Sequence, residues 1–125
     1  MKKISYHISR IGLGITFLWI GVLIFRNPVG WGGYVQPWAL SLLPVPLMQV
    51  MMATAIFDMT VGILLLLNLF VWIVSFVAAL HVISVLVVSG ITDITVRDIA
   101  ILYCAVALLV DTLPEFITNR LSFLK

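Results

Sequence analysis

Charged residues are scarce in this chain: they make up 10% of its 125 residues, against 63% hydrophobic. A soluble domain carries about 25% charged residues. So few charges cannot cover a water-facing surface, which excludes an ordinary soluble domain and makes lipid the solvent. Cysteine is nearly absent. The one cysteine, Cys104, lies inside an apolar segment, which excludes an internal disulfide, a dithiol redox cycle and a multi-cysteine metal cage. There is no basic run and no basic face, and a net charge of +2 gives no argument for a nucleic-acid partner. His7 and His81 lie at different depths with no carboxylate cluster around either, so no metal site is expected. The chain also lacks a haem-ligand histidine pair, a flavin motif and a nucleotide motif. Any electrons it handles must come from a partner or from the substrate. No internal repeat or low-complexity tract is present.

Long apolar runs are what the chain has instead. Four stand out, at about 4–25, 45–67, 69–88 and 96–113. Backbone groups in lipid must be satisfied within the segment, and runs of this length do that as helices. They are too long and too continuous for barrel strands. The expected fold is an all-α membrane protein, an antiparallel bundle of four transmembrane helices in a single domain. Lys2 and Lys3 before the run Ile11–Phe25 imitate a signal peptide. No small-x-small cleavage site follows, so the run reads as a retained helix. Pro46 suits the first turn of the second helix. Thr95-Val96-Arg97-Asp98 reads as a capping box that starts the fourth, with Thr95 as N-cap and Asp98 at N3. In the tail 115–125, Ile117, Leu121 and Leu124 stand at helical spacing beside Arg120 and Lys125, as in a helix lying in the interface.

Orientation follows from the basic residues. Four crossings put both termini on one side, together with Lys2, Lys3, Arg10, Arg120 and Lys125, leaving Arg26 and Arg97 on the other. The positive-inside rule then places both termini in the cytoplasm of a cell-membrane protein. The one substantial loop, 26–44, is outer. Its Trp31, Tyr34 and Trp38 stand among glycines and prolines and read as interface anchors of a lid. Gly12, Gly14, Gly21 and Gly62 are expected to permit close helix approach.

Depth arithmetic sorts the charges into layers. Arg10 and Asp111 share the cytoplasmic end, where an opposite-charge clasp is expected. Arg26, Asp93, Arg97 and Asp98 share the outer end. In the middle is Asp58, within the run Leu47–Leu67. An ionisable group near the bilayer centre costs about 2.5–3.5 kcal/mol on insertion scales and normally faces inward toward a partner. His81 is that partner, because it lies about as many residues after the turn at Asn68–Phe70 as Asp58 lies before it. Equal distance from a hairpin turn means equal depth. A His–Asp pair there is either an interhelical clasp or a proton-exchanging site for a quinone head group, whose carbonyl needs a hydrogen-bond donor and a proton. Tyr103 and Cys104 are weaker members of the same expected cavity.

Taken in order, these residues resemble a family. Arg10-x-Gly12 leading to Gly21, then a basic residue and a Pro/Trp-rich loop, is similar to the start of a DoxX-type membrane protein. Asp58-x-x-x-Gly62-x-Leu64-Leu65-Leu66 resembles the acidic-then-glycine stretch of that family's second helix. His81 falls where a polar residue is often seen on the third, and Arg97-Asp98-Ile99-Ala100-Ile101-Leu102 resembles the fourth-helix signature. The chain departs from the pattern in having Asp rather than Glu at 58 and Arg26 in place of a slightly earlier lysine. The resemblance implies kinship with DoxD, the small membrane subunit associated with thiosulfate:quinone oxidoreductase. It implies a subunit that supports quinone-linked oxidoreduction with a partner protein in the lipid bilayer, as a monomer or homo-oligomer. Asp58 and His81 would be catalytic, and Arg97, Asp98 and Tyr103 would contact the quinone. The competing expectations are a non-enzymatic scaffold, in which every charge is a clasp, and a small proton-coupled transporter.

Overall fold

The computed structural model describes residues 3–121. Lys2, Leu124 and Lys125 lie outside the described residues. The described chain is helical throughout, in the order α1 (Ile4–Arg26), α2 (Pro28–Gly32), α3 (Pro37–Leu40), α4 (Leu47–Leu66), α5 (Val71–Ser89), α6 (Arg97–Thr112) and α7 (Glu115–Arg120). Three helices, α1, α4 and α5, are long and apolar enough to cross a membrane, so this is a membrane protein. Their outward faces carry large apolar side chains with no protein cover, among them Ile15, Trp19, Ile56, Ile63, Phe76 and Leu80. At 16 residues α6 is shorter, about 24 Å at 1.5 Å per residue, against a hydrocarbon core of about 30 Å.

The long helices alternate in direction. The start of α1 meets the end of α4, where Tyr6 Oη donates to Asn68 Oδ1 at 2.7 Å. The end of α5 meets the α2–α3 segment, where Gln36 N–H donates to the Val88 carbonyl at 2.9 Å. These contacts define a base end, holding the α4–α5 turn, and a lid end, holding α2 and α3. The turn itself is tight: Asn68 and Phe70 both take the left-handed conformation, with φ of 59° and 52°. Asn adopts that region readily; for a bulky Phe it is strained.

Packing is uneven. The α1–α4 and α5–α6 contacts are extensive, while α4–α5 and α1–α6 contacts are sparse. Glycine explains the first seam. A Cβ on Gly62 would lie 2.5 Å from Leu18 N and 2.7 Å from Gly14 O, and one on Gly21 would lie 2.8 Å from Met59 N. Only hydrogen fits there, and the two backbones touch, the arrangement small residues allow in lipid. Gly12 departs from expectation: its Cβ position meets nothing within 4 Å, because it faces away from α4.

The start of α6 also departs from expectation. The N-cap is Val96, with no side-chain cap. Thr95 Oγ instead donates to the Gly90 carbonyl at 2.6 Å and accepts from Thr92 N–H at 2.8 Å. The hydroxyl that a capping box needs is committed to closing the α5–α6 connection. The loop expected between the first two long helices carries two short helices, α2 and α3. Asn27 caps the first by accepting from Gly30 N–H at 3.1 Å, and Pro28 and Pro37 supply the opening turns.

Candidate functional site

At the lid end a cavity of about 260 Å³ lies among α1, α4, α5 and the start of α6. Phe17, Ile20 and Ile24 of α1, Val50 and Met51 of α4, and Val82 and Val85 of α5 make its walls mostly apolar. Trp31 and Tyr34 cover it from the lid, their ring centroids 5.9 Å apart. Sequence placed these aromatics on the membrane surface. Trp38 is half exposed, Tyr34 is exposed on one side while lining the cavity with the other, and Trp31 is half-buried against it. The lid is held by Gln36, whose backbone N–H reaches Val88 O and whose Nε2 donates to Ser89 O at 3.2 Å.

Asp58 and His81 lie at the floor of this cavity. His81 Nε2 is 3.2 Å from Asp58 Oδ1. The ring nitrogen lies off the line that a good N–H···O bond requires, and Oδ1 is left buried without an aligned donor. Asp58 is only 3% exposed, whereas the His81 side chain is 21% exposed. The Phe57 ring leans on the His81 ring at 4.6 Å between centroids and a tilt of 47°, which fixes the imidazole against α4. Burying a carboxylate is tolerable when it is paired or hydrogen-bonded. Here one oxygen still lacks a well-directed partner, in a cavity with space beside it.

Arg97 and Asp98 also line the cavity, at its mouth. Arg97 is exposed and its Nε donates to the Ile94 carbonyl at 3.0 Å, which holds the charge at the rim. Asp98 is half-buried and lies within electrostatic reach of Asp58, His81 and Arg97. Tyr103 is not at this site. It is 71% exposed, since Ile101 faces the cavity and a residue two further along a helix points to nearly the opposite side. Cys104 is not there either: its Sγ faces the Ser9 carbonyl at the α1–α6 seam, 3.9 Å away.

Thr54 and Ser84 line the cavity near the pair and were missed from sequence. Thr54 stands one turn before Asp58 and Ser84 nearly one turn after His81, so helical spacing from the pair was the signal that would have found them. Among the described residues, no group of His, Cys, Asp and Glu is arranged to hold a metal ion.

At the base end, Arg10 is buried at 7% exposure. Its Nη1 donates to the carbonyls of Leu65 and Leu66, the latter at 3.0 Å, and its Nη2 lies 3.3 Å from His7 Nδ1. The guanidinium therefore satisfies the last carbonyls of α4, whose negative dipole end favours a cation. Asp111 comes to the same end, within electrostatic reach of Tyr6.

Comparison with protein-family models, with curated proteins and with solved structures gives no match for this chain.

Proposed function

We propose that this chain is a DoxX/DoxD-like membrane subunit that supports quinone-linked oxidoreduction, with thiosulfate or another sulfur compound as the electron source of a partner protein. In this reading α6 is a fourth crossing, shortened at the lid end by Arg97 and Asp98, and both termini are cytoplasmic. The observation that carries it is the Asp58–His81 pair: a carboxylate 3% exposed, with an imidazole 3.2 Å away, on the floor of an apolar cavity of about 260 Å³. Ligand pockets are apolar with a few convergent polar groups, and this volume suits one ring-sized head group. The partner supplies the electrons. His81 hydrogen-bonds a ring carbonyl and hands over a proton, and Asp58 orients the imidazole and stabilises its charged form.

The test is purification in mild detergent followed by mass spectrometry of all lipids and polypeptides that come with the chain. A stoichiometric quinone, lost from the Asp58→Asn variant, is the expected result. Co-purification of neither a quinone nor an oxidoreductase sinks the proposal.

A scaffold reading is favoured by a separate observation, the commitment of Arg10 to the end of α4. It predicts that abundance falls in an Arg10 variant and is untouched in Asp58→Asn.

A further inference from the structure

The site is polar on one side only. Toward the base, the faces packed below the pair are apolar and closed: Leu13, Val61, Leu65, Val74, Ala105 and Leu108 are all 6% exposed or less. These side chains close the base side of the site against bulk solvent. Ser75 is fully buried in α5, but it lies about 9 Å below His81 along the helix and on another face. Arg10, further down, is a permanent donor that does not release a proton.

Toward the lid the polar groups continue. Thr54, Ser84, Thr95 and Asp98 all line the same cavity as the pair. Thr54 and Ser84 donate their hydroxyls to their own helices, to Val50 O at 2.9 Å and Leu80 O at 3.0 Å. They keep lone pairs for the cavity but do not titrate. Tyr34 covers from the lid, and Arg97 holds a fixed positive charge at the rim. Asp98 is therefore the carboxyl on this wall that stands between the pair and the lid-side mouth.

We infer that Asp98 is the proton relay of this site, and that the Asp58–His81 pair exchanges protons with the lid-side aqueous phase alone. Asp98 acts through the pair rather than on the ligand, so it is a positioning and relay residue. The inference rests on reading Asp58 and His81 as a proton-exchanging pair. Its test needs no quinone, so either idea can fail without the other.

The chain holds two histidines, His7 and His81, so ring-nitrogen labelling gives two assignable signals. In lipid nanodiscs, exchange of the His81 ring proton with water slows about a hundredfold in Asp98→Asn, the usual scale of a lost acid–base group. Asp98→Glu restores it, and His7 at the base end is unaffected. An unchanged His81 rate in Asp98→Asn overturns the relay, as does equal slowing in Asp98→Glu. The side is tested independently with Ser84→Cys in a Cys104→Ser background, reconstituted in sealed vesicles. A membrane-impermeant maleimide labels it from the lid side only. Labelling from the base side overturns one-sided exchange.

Discussion

At the base end, polar side chains close the molecule. Arg10 donates to Leu65 and Leu66 carbonyls, Tyr6 donates to Asn68, and between them and Asp58 the buried side chains are apolar except for Ser75. At the lid end the polar side chains face a space. Asp58 Oδ1 has no aligned donor, and Thr54, Ser84 and Asp98 line the same cavity. The chemistry of the two ends is similar, each with a charge on a mainly apolar helix. The difference is that Arg10 meets the last backbone carbonyls of α4, whereas Asp58 projects from the middle of α4, where the backbone is already satisfied. A helix end can absorb a charge without a ligand; a helix middle needs a side-chain partner or a bound molecule.

That contrast can be broken first at the α1–α4 seam, which both ends depend on. Gly62→Val forces a side chain against Leu18 N and Gly14 O. It should cost about 3 kcal/mol, at the upper end of overpacking, and sharply lower the thermal midpoint in detergent. Gly12→Ala is the control: its Cβ position is open, so its effect stays within about 0.5 kcal/mol. Equal losses would mean the seam is not where the glycines matter.

Arg10→Met comes next. It strips the Leu65 and Leu66 carbonyls of a charged donor, and hydrogen bonds to charged groups contribute about 1.5–3 kcal/mol. Denaturant unfolding in mixed micelles should show a loss of about 2 kcal/mol, with lid-side labelling of Ser84→Cys unchanged. Altered lid-side labelling with full stability would merge the two ends that the structure separates.

Gln36→Ala is the mildest. It removes the side-chain tie to Ser89 while the backbone tie to Val88 remains. Stability should fall by no more than about 1 kcal/mol, the scale of one neutral hydrogen bond. Labelling of Ser84→Cys from the lid side should nonetheless accelerate. Unaltered labelling would show that the lid does not limit access.

The pairing of Asp58 with His81 was legible in the sequence, because a short turn between two long apolar helices fixes depth by counting. Other readings failed where a residue had more than one use. Thr95 has the chemistry of an N-cap, but its hydroxyl is taken by Gly90 O across the connection. Tyr103 shares the depth of its helix neighbours but not their direction. Gly12 looks like Gly14 and Gly62 on paper, and only the packed face distinguishes them.

Sequence by itself determined the solvent, the helical class and the depth of each charge, because hydropathy, the backbone's need for internal hydrogen bonds and the rise per residue are local quantities. Tertiary structure decided which face each residue turns inward, that Trp31 and Tyr34 roof a cavity, and that Arg10 reaches the last carbonyls of α4. Those outcomes depend on which surfaces meet, and contacts between residues distant in the chain are set by packing rather than by spacing.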